Sequence, residues 1–291
     1  PRLASEASFV PTYQLFGEGD YYIEERIFPR VDFPRPSEKC ALLNDLQVIW
    51  GVGPVTESKL KSEGYEDIES LCSHVRWGDQ AKAILDAVRE RDARFLSGTK
   101  ASDRQVVTLY SPCEMVFLDI ETCGLYSTFP LFLVGIMRQQ ENGEMLLRQF
   151  LARSYEEEIA VLAAVKQELE GACVIVTYNG LRFDMPYIRE RMAYYSMSCP
   201  EERFHFDLLP AARRLFRDVL PNCKLTTVAS YALGYERGDD IPGYMIPEVY
   251  HRFAVNPSST LIRPILEHNA MDIHTIALLL ARILDDGDLN M

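Results

Sequence analysis

The sequence predicts an α/β domain with a mixed sheet flanked by helices, preceded by a smaller, mainly helical N-terminal domain. Three observations lead to this fold class. Between about residues 40 and 95, apolar side chains recur at helical spacing. After about residue 106, three short apolar strands follow one another closely, and helical patterns come after them. Between the two parts, SGTKASDRQ (97–105) is polar and has no periodicity, which is typical of a linker.

The N-terminal part divides into two predicted segments. Residues 1–38 form an irregular, aromatic segment in which YYIEERIF (21–28) alternates enough to be a strand before prolines break the pattern. Residues 39–105 are expected to form a helical domain and its linker. Its predicted helices are one that contains Leu42, Leu43, Leu46 and Ile49, one over 55–63 that ends at Gly64, one that begins after Asp67, and one over 79–95.

Residues 106–291 form the predicted α/β domain. Short apolar runs bounded by turn residues indicate strands, and longer stretches with apolar residues at helical spacing indicate helices. The strands are expected at 115–120, 131–137, 145–151 and 173–178. The helices are expected at 155–170, 185–195, 208–218, 224–233 and 260–284.

Composition limits the classes of function. The chain carries 30 basic and 43 acidic residues, a net charge of −13, which argues against passive nucleic-acid binding but not against an enzyme that recruits divalent cations. No apolar run approaches the roughly 20 residues that span a bilayer, so no membrane association is expected. The seven cysteines are scattered without C-x-x-C spacing, which predicts reduced thiols in a cytoplasmic protein rather than a zinc site.

Two acids follow an apolar run in VFLDIET (116–122). On a strand, residues two apart point to the same face, so Asp119 and Glu121 are expected to project together. Two ionised carboxylates in a poorly hydrated place repel each other, and Mg²⁺ or Mn²⁺ would relieve that repulsion with oxygen ligands. The alternative is a strand that ends at Ile120, with both acids in a solvated loop.

Two later motifs carry further acids. YNGLRFDMP (178–186) contains an Asn-Gly turn, and Asp184 stands there at the start of a predicted helix. Taken alone, Asp184 is best explained as a helix N-cap. On the last helix, His268 and Asp272 interrupt an apolar stripe, and a buried His–Asp pair is the alternative there. Four such carboxylates can hold two cations roughly 3.5–4 Å apart, the arrangement used in phosphoryl transfer.

VFLDIETCGL, YNGLRFDMP and HNAMD resemble, in this order, the three motifs of the DEDD superfamily, the DnaQ-like exonucleases with a ribonuclease-H-like fold. The framing sequence is most similar to the YprB-type branch of predicted exonucleases, and the resemblance covers about residues 112–285. The resemblance implies that Asp119, Glu121, Asp184 and Asp272 bind two Mg²⁺ or Mn²⁺ ions. It also implies hydrolysis of phosphodiester bonds from a 3′ end.

His268 departs from the better-known pattern of this superfamily. One subclass places a histidine five residues before the last aspartate, and another places a tyrosine four residues before it. His268 lies four residues before Asp272, in the position of the tyrosine. The resemblance implies that His268 orients or deprotonates the attacking water, and the spacing leaves the four implied metal ligands unaffected.

GVGP (51–54) is a weak match to a dinucleotide-binding loop, because a predicted helix precedes it and Thr56 stands where a third glycine belongs. It resembles instead a helix-hairpin-helix element, which presents backbone N–H groups to a nucleic-acid phosphate. Gly51, Gly53 and Lys59 are then candidate nucleic-acid contacts. The alternative is a packing hairpin without a ligand.

Other polar residues are assigned more simply. Asn179, in the second motif, is a further candidate nucleic-acid contact. Asp207 is expected to cap the following helix, with support of the acidic site as the alternative. Asp239 and Asp240 are expected on a solvated loop. A solvated helix face is expected for Arg213, Arg214 and Arg217.

The sequence therefore predicts a cytoplasmic, divalent-metal-dependent 3′–5′ exonuclease that uses two ions. Its substrate is expected to be DNA or RNA, single-stranded or with a free 3′ end. The alternative is a non-catalytic adaptor that keeps the nuclease fold and binds nucleic acid or a partner protein. The intact set of four acids favours the enzyme, since an adaptor has no need for all of them. The catalytic residues would be Asp119, Glu121, Asp184, His268 and Asp272.

Overall fold

A computed structural model of the chain describes residues 20–34, 41–201, 204–234, 238 and 240–285. The chain divides into two compact units, one formed by residues 1–33 with 112–291 and the other by residues 34–111. The segment before residue 34 belongs with the larger unit, because its described strand pairs into the sheet of that unit. In the described part of the chain, no helix is long and apolar enough to cross a membrane.

The smaller unit is helical in its described residues. The helix predicted around 42–49 is replaced by two 3₁₀ helices, Ala41–Asn44 and Leu46–Val48, because the Asp45 side chain accepts a hydrogen bond from the Gln47 backbone (2.9 Å) and starts a new turn. The helix predicted over 79–95 is split, since Arg91 is left-handed with φ 58°. The α-helices described there are α1 (Pro54–Ser62), α2 (Ile68–Leu71), α3 (Gly78–Glu90), α4 (Ala93–Ser97) and α5 (Asp103–Val107).

Residues 97–105, expected to be a linker, are packed into the smaller unit instead. Ser102 and Gln105 form a reciprocal capping box that starts α5. The Gln105 amide also donates to the Asp45 carboxylate (2.8 Å), and Lys100 Nζ donates to a backbone carbonyl (3.1 Å). The S-x-x-Q pattern signals a helix start, and periodicity alone missed it because α5 is only one turn long.

The larger unit contains a mixed sheet of six described strands in the order β1-β4-β3-β2-β5-β6, which confirms the predicted α/β class. β1, β4, β3 and β2 pair antiparallel, whereas β2, β5 and β6 run parallel. The carboxyl ends of these three parallel strands therefore meet at one end of the sheet. The strands are β1 (Tyr22–Phe28), β2 (Met115–Thr122), β3 (Leu131–Gln139), β4 (Met145–Leu151), β5 (Val174–Thr177) and β6 (His205–Asp207).

Helices pack against both faces of this sheet. Val116, Leu118 and Ile120 of β2 join a core that includes residues of the two helices that follow β4 and β5. Strand alternation places Asp119 and Glu121 on the opposite face, against the last helix. The helices of this unit are α6 (Glu158–Glu170), α7 (Asp184–Tyr194), α8 (Leu208–Phe216), α9 (Leu225–Leu233), α10 (Ile246–Val255) and α11 (Ser259–Asp285).

Gly135 lets α11 lie directly on the sheet. A Cβ atom at Gly135 would stand 2.2 Å from Ile273 Cδ1 and 2.3 Å from Asn269 Oδ1, so any larger residue would push the helix away. Gly135 is paired with Asp119 on β2 and with Gln149 on β4. Because Gly135 has no side chain, the space above β3 between Asp119 and Gln149 is free for a side chain of α11.

Gly135→Ala is expected to lower the free energy of unfolding of the larger unit by about 1–3 kcal/mol, because the added methyl group overpacks the contact between α11 and β3. Urea denaturation followed by circular dichroism measures this loss. Gly171→Ala is the matched control, since a Cβ there meets nothing within 4 Å and φ is −89°. Equal stability of the two variants would contradict the close approach of α11.

Candidate metal centre

Asp119 and Glu121 lie on β2 itself, which extends to Thr122. The alternative of a strand that ends at Ile120, with both acids in a loop, is therefore wrong. Both side chains are partly exposed, while Ile120 between them is buried. β2 pairs with β3 on one side and with β5 on the other, so paired strands flank the two acids.

Asp184 is the first residue of α7 and only 4% exposed. The N-cap is Phe183, so the interpretation of Asp184 as an N-cap is wrong. The turn predicted at Asn-Gly is present: Asn179 is left-handed with φ 71°, and its carbonyl accepts from the backbone of Arg182 (3.2 Å) and Phe183 (3.1 Å). This turn carries the chain from β5 to the buried carboxylate.

Asp207 performs both of the roles considered for it. At the end of β6 it caps α8 by accepting from the Leu209 backbone (3.0 Å). Its carboxylate also accepts from the backbone of Asn179 (2.7 Å) and Leu181 (3.3 Å). Asp207 thus holds the turn that precedes Asp184.

His268 stands between two acids. Its Nε2 lies 3.4 Å from Asp272 Oδ2, one helical turn along α11, and its Nδ1 lies 2.8 Å from Asp240 Oδ1. The expectation that Asp240 lies on a solvated loop is wrong, because its side chain is only 18% exposed. Asp239 lies outside the described residues. The sequence carried no periodic signal for Asp240, since the contact joins a loop to a helix 28 residues away.

A chain of buried amides orients Asp119. Asn269 Nδ2 donates to Asp119 Oδ2 (2.9 Å), and Gln149 Nε2 donates to Asn269 Oδ1 (2.9 Å) and to the Leu266 carbonyl (2.8 Å). Asn269 and Gln149 are fully buried. No motif or periodicity in the sequence marks either residue as part of the site. For Asn269, the sequence offers one indication, which is its position directly after His268 on a largely apolar predicted helix.

Electrostatic repulsion links the acids. Burial raises the pKa of Asp119 well above its usual range, and the charges of Asp272, Asp184 and Glu121 raise it further. Burial also raises the pKa of Glu121, with added effects of Asp272, Asp184 and Asp240. Burial raises the pKa of Asp184 to about 7, although backbone hydrogen bonds oppose this shift. The charges of Asp184 and Asp272 raise the pKa of both Asp119 and Glu121, so these acids lie in one region of the larger unit.

The ligand type and the charge of this site suit a hard divalent cation, because carboxylate oxygens are the ligands that Mg²⁺ and Mn²⁺ prefer. Within the described residues, no three acidic, histidine or cysteine side chains stand close enough, as they lie, to hold a metal ion. The acids therefore fit a cation in chemistry and charge, and binding requires that their side chains turn toward a common point.

The glycine hairpin at residues 51–54 belongs to the smaller unit. Gly51 has φ 88°, and Gly53 is the extended N-cap residue of α1. Lys59 is exposed on α1 and lies 3.7 Å from the Glu63 carboxylate. A 3₁₀ helix rather than an α-helix precedes the hairpin, so the element departs from the expected helix-hairpin-helix pattern.

The mixed sheet, the covering helices and the acids on β2, α7 and α11 define a domain of the ribonuclease-H-like class. The sequence matches the RNase_H superfamily over residues 116–284, and the chain belongs to this superfamily.

Two known proteins show the extent of the similarity. The chain is 33% identical over 168 residues to the uncharacterized protein YprB of Bacillus subtilis (strain 168), a match that covers 56% of this chain and 40% of YprB. Among solved structures, it is similar to the family B DNA polymerase of the hyperthermophilic archaeon Pyrobaculum calidifontis. That similarity has a TM-score of 0.47 and 19% identity, over 58% of this chain and 24% of the polymerase.

The raised pKa of Asp184 has a consequence for stability. Below its usual pKa of 3.8, Asp184 is protonated in both the folded and the unfolded chain, so its titration does not change the free energy of unfolding there. Between that value and a folded pKa of about 7, the folded chain holds a proton that the unfolded chain has lost, and stability falls as pH rises. Above that range the loss of folding stability is complete and no longer changes with pH, unless a cation neutralises the site.

Asp184→Asn should therefore raise the melting temperature of the metal-free protein at pH 8, by about 2–4 °C for each kcal/mol relieved, and raise it less at pH 5. Differential scanning fluorimetry in EDTA measures the shift. Added Mn²⁺ should stabilise the wild type at pH 8 and stabilise the variant less. A wild type that melts above the variant in EDTA at pH 8 would contradict the repulsion.

Proposed function

We propose that the chain is a divalent-metal-dependent 3′–5′ exonuclease that hydrolyses phosphodiester bonds of DNA or RNA. One observation carries the proposal: β2, α7 and α11 carry four acids, and burial together with neighbouring charges raises the pKa of Asp119, Glu121 and Asp184. Such a cluster is costly to the fold unless a cation neutralises it. Membership of the RNase_H superfamily and the order of the three motifs support nucleic acid as the substrate.

The proposed ligands of two Mg²⁺ or Mn²⁺ ions are Asp119, Glu121, Asp184 and Asp272. When bound, such ions supply positive charge that stabilises the attacking and leaving oxygens of a phosphodiester. Asn269 donates to the Asp119 carboxylate, and Asp207 holds the backbone turn that leads to Asp184. We propose an unpaired 3′ end as the substrate, because a partly buried site admits a flexible strand more readily than a duplex.

His268 is proposed to orient or deprotonate the attacking water. We propose that Nδ1 donates to the Asp240 carboxylate (2.8 Å), because a carboxylate oxygen accepts hydrogen bonds. Nε2 is then the nitrogen that faces Asp272 and can accept a proton. In this arrangement Asp240 fixes both the tautomer and the direction of the ring.

The alternative function is an adaptor that keeps the nuclease fold and binds nucleic acid or a protein without hydrolysing it. The adaptor offers no reason to retain four acids whose repulsion destabilises the metal-free fold. Hydrolysis therefore separates the two functions.

Asp119→Asn should reduce hydrolysis by orders of magnitude, since it preserves the shape of the side chain and removes ligand charge. The assay uses 5′-labelled DNA and RNA oligonucleotides with Mn²⁺, and a ladder that shortens stepwise from the 3′ end establishes the direction. Asp32→Asn is the control, because the Asp32 side chain is 82% exposed and pairs with Arg30, outside the proposed metal site and groove. Wild-type activity in Asp119→Asn would refute the ligand assignment, and a wild type inactive on both polymers would favour the adaptor.

His268→Ala should lower the single-turnover rate by roughly 10²- to 10⁴-fold, the range for lost general-base assistance. Asp240→Asn should lower it by roughly 10- to 100-fold, because a neutral amide oxygen is a weaker acceptor than the carboxylate that orients the ring. His268→Tyr should recover part of the loss if the residue mainly orients water. His251→Ala is the control. His251 is an exposed residue of α10, and its ring forms a hydrogen bond with the Tyr155 hydroxyl (2.8 Å). An unchanged rate in His268→Ala would leave only a structural His–Asp pair.

We also propose that the hairpin of the smaller unit contacts a nucleic-acid phosphate through the backbone around Gly51 and Gly53, with Lys59 adding charge. A Cβ at Gly53 meets nothing within 4 Å, so the fold accepts a side chain there. A loss of binding in a Gly53 variant would then reflect obstruction of the ligand rather than damage to the hairpin.

Gly53→Val is expected to weaken binding of a long oligonucleotide and to flatten its salt dependence, because a phosphate contact is lost. Fluorescence anisotropy at several salt concentrations measures both quantities. An unchanged melting temperature verifies that the fold is intact. Unaltered affinity and salt dependence would show that the hairpin only packs.

A further inference from the structure

A basic groove opens on the larger unit beside the turn that leads to Asp184. It encloses about 710 Å³ between the end of β5, helix α8 and the start of α9. Asn179 lies on its wall, five residues before Asp184 in the chain. The turn that leads to Asp184 thus contributes to the wall of the groove, whereas none of the four proposed ligands lines it. Its charged lining residues are Arg213, Arg217 and Lys224.

The charge of this groove is opposite to that of the chain. Among the residues that the structure describes, three cations and no acid line it, although the net charge of the whole protein is −13. Arg217 pairs with the exposed Asp218 (3.4 Å), whereas neither Arg213 nor Lys224 forms an ion pair with any residue that the structure describes. Arg213 and Arg217 were expected on a solvated helix face. All three arginines of that predicted face are exposed, as expected, and Arg213 and Arg217 also line the groove, whereas Arg214 does not.

Hydrogen bonds hold the walls of the groove together. Tyr178 at the end of β5 donates its hydroxyl to the Cys223 carbonyl (2.7 Å), which ties the sheet to the segment before α9. The Asn222 side chain accepts from the Lys224 backbone (3.0 Å) and from the Thr227 hydroxyl (2.8 Å). The backbone that presents Lys224 is thus fixed before any ligand arrives.

We propose that this groove binds the phosphate backbone of an unpaired nucleic-acid strand next to the 3′ end that enters the acidic site. The inference rests on the proposed nuclease function and names where its substrate lies. Single-strand sites combine cations that follow the phosphates with apolar or aromatic surfaces for the bases. Tyr178, Leu209 and Leu225 supply that surface between the cations.

The size and position of the groove favour a strand over an acidic peptide. Its volume of about 710 Å³ falls within the range of roughly 300–1,000 Å³ that holds a ligand of a few hundred daltons, which corresponds to one or two nucleotides. Acids repel nucleic acid at the proposed site of hydrolysis until cations are bound, so a neighbouring basic surface would supply affinity that the acidic site lacks.

The experiment measures binding without metal and without hydrolysis. Arg213→Ala with Lys224→Ala is compared with the parent in an Asp119→Asn, Asp184→Asn background, which prevents cleavage and removes two repelling charges. The probe is a fluorescein-labelled 15-nucleotide oligothymidylate in EDTA, followed by anisotropy between 50 and 400 mM NaCl. Arg214→Ala is the matched control, exposed on the same helix but outside the groove.

Loss of two phosphate contacts should weaken binding by about 25-fold at 0.1 M salt and reduce the slope of log K against log salt by about 1.4, since each single-strand contact contributes about 0.7. Arg214→Ala should stay close to the parent in both quantities. Unchanged affinity in the double variant, an equal loss in Arg214→Ala, or equal competition by a polyglutamate peptide of the same charge would each overturn the proposal. Oligonucleotide hydrolysis tests the nuclease function separately, so failure of one is distinguishable from failure of the other.

Discussion

Repulsion among carboxylates is the interaction that most constrains the structure of the larger unit. Asp119, Glu121, Asp184 and Asp272 come from a strand and two helices, and the pKa values of the first three are raised by burial and by their neighbours' charges. A fold selected for stability alone would separate such groups or pair them with cations. Rigid elements here hold them near one another instead, which makes stability depend on pH and on any cation that binds.

Contact between α11 and the sheet sets the geometry of this site. Gly135 removes the side chain that would otherwise lift the helix, and Asn269 then reaches Asp119 on one side and Gln149 on the other. The same helix carries Asp272 and His268, so the contact between α11 and β3 positions these two residues relative to Asp119 on the sheet. A small shift of α11 would therefore disturb two proposed ligands and the proposed proton acceptor together.

Local patterns predicted much of this arrangement and left out contacts that depend on the tertiary fold. The alternation in VFLDIET predicted that Asp119 and Glu121 share a face, and the Asn-Gly turn before Asp184 is present. The pairing of β1 with β4, the bond of Asp240 to His268 and the amide chain through Asn269 join residues far apart in sequence. No periodicity encodes such contacts. Short helices were also misjudged, because a single turn such as α5 is marked by its cap and not by a repeat.

The most direct measurement is a titration of the metal-free protein with Mn²⁺, followed by electron paramagnetic resonance of the free ion at pH 8. If the four acids form a metal centre, about two ions per chain should bind saturably, and replacement of Asp119 and Asp184 by asparagine should remove them. Saturation at one ion would retain the metal centre and refute the two-ion arrangement. A wild-type protein that shows no saturable binding, or whose binding survives both substitutions, would contradict the account.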